Sequence, residues 1–125
     1  MVDNLQTTIQ WAKTGLSFPG CWAYPDMLEV GCAHGPHGND DPGLSFVEAR
    51  AHFGAWCIVS SPLILSHDVN NATVTAAIWP IISNTEAIAV NQAWAGYSGS
   101  VFKAATSTVA LTAAKGKVAA VPAWQ

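Results

Sequence analysis

Apolar and polar positions along the chain alternate between helical and extended spacing. Apolar residues at helical intervals predict a helix over residues 3–13 that ends near Gly15. A turn follows, and the largely apolar run over residues 21–30 predicts a buried strand that leads into a loop. The apolar face of the helix would consist of Leu5, Ile9 and Ala12.

A second helix is marked at its start by a capping signal. Ser45 and Glu48 have the spacing of a capping box, in which the serine accepts from the amide of residue 48 and the glutamate reaches back to the cap amide. His52 lies one turn after Glu48, and we expect it to be an exposed partner of that carboxylate. The apolar positions at helical spacing are Phe46, Ala49, Phe53 and Trp56.

Short apolar and helical segments alternate further along the chain. The all-apolar run over residues 63–65 predicts a strand of the kind that parallel sheets cover on both faces. Asn71 is placed to cap another helix, which Pro80 is expected to break. Ser83 and Glu86 repeat the capping-box spacing before a last short helix. Helix, strand, helix, strand, helix is the order of an α/β barrel or of a doubly wound sheet.

Two segments have a different character. Gly, Pro, Asn and Asp dominate residues 31–43, which predicts a surface loop. From about Gly99 the composition changes, and short strands become the favoured elements. These strands are predicted over residues 101–102, 108–111 and 118–121, the last two joined by a turn at residues 115–117.

The composition is typical of a segment whose apolar faces are covered by further protein. The chain has 125 residues, enough for one ordinary domain but about half of the roughly 250 that a complete (β/α)8 barrel needs. Charged residues make up 10% of the chain and hydrophobic residues 50%, with six tryptophans. A typical soluble domain has about 25% charged residues, so apolar faces meant for further protein are one interpretation. A compact, sparsely charged domain is the alternative.

Charge and hydropathy exclude two classes of partner. The net charge is −3 and the five Lys and Arg residues are scattered, which does not suit a nucleic-acid-binding surface. The longest apolar stretch, residues 53–65, contains two serines and a proline and is shorter than the ~20 residues that a membrane-spanning helix needs. The first residues lack the basic start and apolar core of a signal peptide, so we expect none in this chain.

Three blocks carry a resemblance to a known family. They are GCWAYPDMLEVG at residues 20–31, SPLILSHD at residues 61–68 and EAIAVNQAW at residues 86–94. In this order and at roughly this spacing, residues 3–103 resemble the back end of the catalytic barrel in the melibiase family of α-galactosidases and α-N-acetylgalactosaminidases. The resemblance implies an α/β fold. Residues 1–98 would be the last strands and helices of a (β/α)8 TIM barrel, and residues 99–125 the first strands of a C-terminal β-sandwich.

Asp26 is the leading candidate for chemistry. From the residues alone, it is either a carboxylate at the C-terminal end of a barrel strand, where it could bind sugar hydroxyls, or a structural aspartate in a Pro-Asp turn. The resemblance implies the first, because Asp26 and Met27 match the pair that lines the family's galactose pocket. Trp22 would support the pocket wall or the core. The family pattern Trp-Asn-Asp-Pro-Asp-Met departs here at Ala23 and Tyr24.

The catalytic pair of the family has no match in this chain. Retaining glycosidases use two carboxyl groups about 5 Å apart, and the resemblance places both upstream of the residues present here. Asp26 and Glu29 would point to opposite faces of a strand and should not converge. We therefore expect a fragment of an α-galactosidase-like glycoside hydrolase that acts on an α-galactoside, needs the N-terminal part of the barrel and uses no cofactor.

Two alternatives to a hydrolase fragment stay open. One is a non-catalytic galactose-binding or scaffold remnant that keeps the pocket wall without the chemistry. The other is an incomplete reading frame whose product does not fold alone. By resemblance to the family, the parent protein would be secreted, lysosomal or vacuolar.

Two further polar groups invite a functional interpretation. His34 and His37 are followed by Asn39, Asp40 and Asp41. Imidazoles and carboxylates suit zinc, but a polar, glycine-rich loop without fixed ligand geometry is the favoured interpretation, so we expect no metal site. His67 and Asp68 end the predicted strand at residues 63–65, either next to the active site or as strand terminators.

The cysteines and one sequon bear on the compartment. Cys21 and Cys32 flank the acidic block and could pair in an oxidising compartment. Cys57 lies in a helical apolar pattern and fits a small buried residue. Asn71 begins an Asn-Ala-Thr glycosylation sequon, which gives weak support for secretion.

Overall fold

Four helices and two antiparallel hairpins form the part of the chain that the structure describes. The structure, a computed structural model, describes residues 2–35, 37–102, 104–112 and 118–124. The helices are α1 (Val2–Ile9), α2 (Phe46–Ile58), α3 (Ala72–Ile82) and α4 (Thr85–Gln92), and the strands are β1 (His34–Gly35), β2 (Gly38–Pro42), β3 (Ala104–Thr112) and β4 (Val118–Trp124). Helix α1 is shorter than predicted, because turns replace it from residue 10 onward. None of the described helices has the length and apolar character needed to cross a membrane.

Helix α2 begins at the predicted capping box. Ser45 Oγ accepts the backbone N–H of Glu48 at 3.3 Å, and Glu48 Oε2 accepts the backbone N–H of Ser45 at 2.8 Å. Hydrogen bonding to Ser45, through its side chain and then its backbone, lowers the pKa of Glu48 below its usual value. Phe46 at the start of the helix is half exposed, whereas Ala49, Phe53 and Trp56, which follow on the same face, are buried in an apolar core. The core consists of Leu28, Val30, Ala49, Phe53, Trp56, Cys57, Ile78 and Ile81.

Helix α2 connects two extended segments that meet side by side. The predicted strand over residues 63–65 is wrong as a continuous element, because Leu65 alone pairs, in an isolated parallel bridge with Leu28. Beside this bridge, the Leu28 N–H donates to the Ile64 carbonyl at 2.8 Å. Ser66 Oγ donates to the Leu28 carbonyl on the same edge. Parallel extended segments joined through a helix are the βαβ arrangement of α/β folds. The α/β class is therefore confirmed, whereas closure of a barrel stays a prediction.

The predicted strand over residues 21–30 is wrong as a continuous element. The range contains two isolated bridges, at Cys21 and at Leu28. Between them, Pro25 has no N–H to donate to a sheet, and Asp26 has φ +94°, outside the β region. Two adjacent residues therefore interrupt the ladder that the apolar run predicted.

Helix α3 continues through Pro80. Its predicted cap is confirmed, since Asn71 Oδ1 accepts the N–H of the third helical residue at 3.1 Å. The prediction that Pro80 breaks the helix is wrong, because the helix reaches Ile82. The backbone N–H and the Oγ of Ser83 both donate to the Trp79 carbonyl, at 3.0 and 2.6 Å, and these bonds close the last turn.

Helix α4 is capped by Asn84 rather than by the predicted Ser83. Asn84 Oδ1 accepts the Ala87 N–H at 2.9 Å. Ser83 is engaged elsewhere, because its Oγ closes the preceding helix. Both neighbours are good capping residues, and the spacing to Glu86 favoured the wrong one.

The predicted surface loop over residues 31–43 contains a short hairpin instead. Strands β1 and β2 pair antiparallel, with His34 opposite Pro42. The Asp41 carboxylate accepts the backbone N–H of His37 at 3.4 Å and so supports the connection. The predicted surface position is confirmed, since the described residues of this range are exposed or half-buried. The loop assignment was wrong because Gly, Asn and Asp, which favour loops, also form the tight turns of hairpins.

Strands β3 and β4 confirm two of the three strands predicted near the end of the chain. They pair antiparallel along most of their length. The predicted strand over residues 101–102 is wrong, and Phe102 is 91% exposed, so no apolar burial draws this pair into a sheet. The predicted turn at residues 115–117 lies outside the described residues. The β-sandwich assignment and the boundary after residue 98 stay predictions.

Candidate functional site

A surface cavity is lined by residues of α1 and of the segment that contains Asp26. Its volume is about 480 Å³, within the range of small-molecule sites. Asp26 supplies the only carboxylate, and Tyr24 the only aromatic ring, among the described residues that line it. The lining residues are Asn4, Thr7, Thr8, Tyr24, Pro25 and Asp26. Hydroxyl, amide and carboxylate groups beside an aromatic ring suit a ligand with several hydroxyls.

Asp26 has an unusual backbone conformation. Its φ of +94° is rare for residues other than glycine, although Asp and Asn tolerate such angles better than most. Oδ1 accepts the backbone N–H of Met27 at 2.8 Å, a local bond that partly compensates for the strain. The residue is exposed and lines the cavity, and a carboxylate has acceptor capacity at both oxygens beyond one such bond.

Two side chains of α2 hold the backbone of this segment. The Trp56 indole Nε1–H donates to the Asp26 carbonyl at 2.7 Å, and His52 Nε2 accepts the Glu29 N–H at 3.0 Å. Both side chains are 1% exposed. Their ring centroids lie 3.8 Å apart with the planes inclined at 41°. The acidic segment therefore rests on a rigid pair of rings from the core.

The prediction that His52 is an exposed partner of Glu48 is wrong. The Glu48 carboxylate bonds to its own helix cap, and His52 points into the core. Burial lowers the pKa of His52 to about 4, so at neutral pH the ring is uncharged and Nε2 is an acceptor. Nδ1 has no hydrogen-bond partner among the described residues. The four-residue spacing to Trp56 is the signal that could have revealed this burial, because such residues share a helix face.

Met27 and Trp22 lie close to Asp26 in the chain but do not line its cavity. Met27 is 47% exposed. Trp22 is half-buried, and its ring meets that of Trp94 edge-on, with centroids 5.0 Å apart and an interplanar angle of 78°. Of the three residues predicted to bind substrate, Asp26 alone is among those lining the cavity, and Trp22 packs on a neighbouring tryptophan.

His67 and Asp68 form the connection that precedes α3. The buried His67 has its Nε2 3.3 Å from Thr75 Oγ1. Asp68 Oδ1 accepts the Asn70 N–H at 3.0 Å. Neither residue is among those lining the Asp26 cavity. Both predicted interpretations, a pair next to the active site or one that ends a strand, stay predictions.

Cys21 and Cys32 are free thiols with separate partners. Cys21 Sγ lies 4.0 Å from the Leu16 carbonyl oxygen, and Cys32 Sγ lies 3.3 Å from Ser66 Oγ. The disulfide suggested by their flanking positions is therefore not formed in the structure. Cys57 is buried as predicted, and burial raises the pKa of its thiol to about 11.

Two other features of the sequence lie away from this cavity. The histidines and aspartates of the β1–β2 hairpin are mostly exposed. In the described parts of the chain, no three His, Cys, Asp or Glu side chains are grouped in a way that could hold a metal ion. Asn71 of the sequon is exposed and caps α3, and its glycosylation stays a prediction.

Comparison with known proteins relates most of the chain to one group of sequences. The family model Melibiase_2, described as Alpha galactosidase A, matches residues 2–93. Alpha-galactosidase 3 of Arabidopsis thaliana is 41% identical over 81 residues, which are 65% of this chain and 16% of that relative. Alpha-galactosidase of Oryza sativa subsp. japonica is 39% identical over 99 residues, 79% of this chain and 21% of that relative. The chain thus spans about a fifth of the length of these curated relatives.

A solved structure is similar in fold as well as sequence. It is a crystal structure from Bacteroides fragilis described as an alpha-galactosidase/melibiase, with a TM-score of 0.71 and 25% identity. The match covers 92% of this chain and 25% of that one.

Proposed function

The chain belongs to the melibiase family of α-galactosidases, and from this premise we propose that it is a segment of a glycoside hydrolase barrel that binds terminal α-galactosyl groups. The position of Asp26 in the wall of a surface cavity is the observation that carries the proposal. Its carboxylate can accept hydroxyl hydrogens of a pyranose. Tyr24 is 48% exposed and could pack on the apolar face of the sugar, while two threonines and an asparagine of α1 also line the cavity.

The retaining hydrolysis of α-galactosides would need groups from outside this chain. Such hydrolysis uses two carboxyl groups about 5 Å apart, and Asp26 is the only carboxylate among the described residues that line the cavity. We propose that the nucleophile and the acid/base belong to upstream segments of the barrel. The matched relatives are several times longer than this chain, which supports that division of roles.

The rest of the barrel would pack against the apolar surface around the parallel bridge. Ile64 and Leu65 are 44% and 40% exposed there, although parallel strands are normally covered on both faces. Leu65 also lines a second cavity, of about 260 Å³. It is lined by Leu28, Phe53, Leu63, Leu65, Trp79, Ile82, Ser83 and Ile88.

A non-catalytic galactose-binding or scaffold remnant is the second candidate function. The presence of one carboxylate, rather than a pair, among the described lining residues favours it. Such a protein would keep the sugar-binding wall without the chemistry. The two candidates differ in whether hydrolysis can be restored by further barrel segments.

Calorimetric titration with methyl α-D-galactopyranoside tests the binding site. We expect the chain to bind this sugar and Asp26→Asn to weaken binding by ~10-fold or more, because a hydrogen bond to a charged group contributes about 1.5–3 kcal/mol. Glu86→Gln is the matched control, since Glu86 is also exposed but does not line the cavity. Equal binding by the two variants would contradict the role of Asp26, and no binding by the unaltered chain would contradict the sugar-binding site that the hydrolase segment and the galactose-binding remnant share.

Hydrolysis of p-nitrophenyl α-galactoside on the same preparation separates the two candidates. We expect none by the chain alone. Activity that develops after mixing with the upstream barrel segment of the rice relative would support the hydrolase segment. Sugar binding without any such gain would support the non-catalytic remnant.

A further inference from the structure

The 26–29 segment is held at both ends by one face of α2. Trp56 donates to the carbonyl at the start of the segment, at 2.7 Å, and His52 accepts from the amide at its end, at 3.0 Å. The two side chains are one helical turn apart, so they share a face. A single rigid surface therefore fixes two points of a four-residue backbone.

This segment needs such support because Asp26 is strained. A φ of +94° costs free energy for a residue with a Cβ and persists only where the surroundings over-determine it. The direction of the carboxylate depends on that angle. If Asp26 relaxed into the β region, its Oδ1 would lose the bond to the Met27 N–H and its orientation toward the cavity would change.

His52 and Trp56 are suited to hold this backbone because they have little freedom themselves. Both are almost fully buried and their rings contact each other. Burial also lowers the pKa of His52 to about 4, which keeps Nε2 an acceptor across the neutral range. The capping box at Ser45 fixes the start of the helix that carries both residues.

We propose that His52 and Trp56 are positioning residues that set the direction of the Asp26 carboxylate for sugar binding. Neither lines the cavity, so both act through the backbone of the 26–29 segment. This inference rests on the proposed sugar-binding function. The structural part, that the two side chains hold the segment, can be measured without any sugar.

Four variants separate positioning from general stability. Trp56→Phe removes the indole donor but keeps an aromatic ring, and His52→Leu removes the acceptor at similar volume. His52→Gln keeps an acceptor near the position of Nε2. Trp79→Phe is the matched control, because Trp79 is 58% exposed on α3 and does not line the Asp26 cavity.

The first readout is the Kd for methyl α-D-galactopyranoside. We expect Kd to rise ~10-fold in Trp56→Phe and in His52→Leu, the usual scale for one hydrogen bond of this kind. In His52→Gln it should stay within about threefold of the original value, and in Trp79→Phe it should not change.

The second readout is backbone amide hydrogen exchange followed by NMR. Exchange should quicken by ~10-fold at Glu29 in His52→Leu, because the variant removes the acceptor of the Glu29 N–H. It should quicken by ~10-fold at Met27 in Trp56→Phe, because release of the Asp26 carbonyl would let Asp26 relax and its Oδ1 leave the Met27 N–H. Amides in α3 and α4 should exchange as before, and His52→Gln should restore the protection of Glu29.

The outcomes of these two measurements distinguish failure of the proposed sugar-binding function from failure of the positioning role. If the unaltered chain binds no sugar, the proposed function is wrong, whereas hydrogen exchange still decides whether the two residues hold the segment. Faster exchange throughout α3 and α4, or equal losses of affinity in His52→Gln and His52→Leu, would mean general stability and would overturn the inference. Unchanged Kd in Trp56→Phe and His52→Leu would also overturn it.

Discussion

Replacement of Gly31 by alanine tests how tightly α3 packs on the segment that follows Val30. Gly31 has φ +82°, a conformation that residues with a Cβ rarely adopt. A Cβ at this position would lie 2.8 Å from Ile78 Cδ1 and 3.2 Å from both His67 Cβ and Val74 Cγ1. The variant therefore combines backbone strain with overpacking.

A matched variant separates the two penalties. Gly15 has φ +74°, and a Cβ there would meet nothing within 4 Å, so Gly15→Ala carries the backbone penalty alone. A left-handed conformation costs about 1–2 kcal/mol, and overpacking adds about 1–3 kcal/mol. Since Ile78 Cδ1 is the end of a side chain that can move, the lower part of that range applies. We expect the free energy of unfolding to fall by about 1–2 kcal/mol in Gly15→Ala and about 2–4 kcal/mol in Gly31→Ala.

Urea denaturation, followed by tryptophan fluorescence and far-UV circular dichroism, measures this difference. The two midpoints should differ by roughly 1 M if the m-value is about 1–2 kcal/mol/M. Ile78→Val removes the closest atom, so the double variant Gly31→Ala/Ile78→Val should be more stable than additivity predicts by about 0.5 kcal/mol or more. Equal losses in the two glycine variants, within about 0.3 kcal/mol, would refute the packing argument.

A helix cap, a buried histidine and a buried thiol give three shorter predictions. Ser45→Ala should destabilise α2 by about 1 kcal/mol through loss of the capping box, which a lower thermal midpoint would show and an unchanged one would contradict. The pKa of His52 is lowered from 6.5 to about 4, so the unfolded chain binds more protons between these values. The free energy of unfolding should therefore be highest above pH 6.5 and fall toward pH 4, by up to about 3 kcal/mol, and urea titrations of His52→Leu should show a flatter pH dependence. At pH 8, iodoacetamide should label the exposed Cys21 and spare Cys57, whose pKa is raised to about 11; mass spectrometry reads the sites, and equal labelling would contradict the burial.

Features with local causes could be predicted from the sequence. The caps at Ser45 and Asn71 depend on partners within three residues, so spacing alone identified them. Asn84 shows the limit of this reasoning, since it competes with an adjacent serine and the choice depends on where that serine is engaged. The hairpin at the end of the chain was also predicted from local pattern, but both of its strands are longer than the predicted ranges.

Features with distant causes could not be predicted. His52 contacts an amide 23 residues earlier, and Trp56 contacts a carbonyl 30 residues earlier, so no short window contains either bond. Asp26, which has a left-handed conformation, accepts one of those bonds at its carbonyl. The sequence did identify Asp26 as a candidate, through the block that resembles the family, but not the α1 residues that line its cavity. Helix α1 was recognised by its apolar face, and the cavity is lined by its polar side chains.

The parallel bridge between Leu28 and Leu65 predicts an order of events in folding. The two residues lie on either side of α2, so their pairing closes a loop that contains the whole helix and its connections. Such closure is entropically unfavourable until the helix has formed and docked, whereas α2 carries its own cap and can form from local contacts. We therefore expect substitutions at the bridge to speed unfolding more than they slow folding. The wall that carries Asp26 would be among the last parts of this unit to assemble and among the first to open.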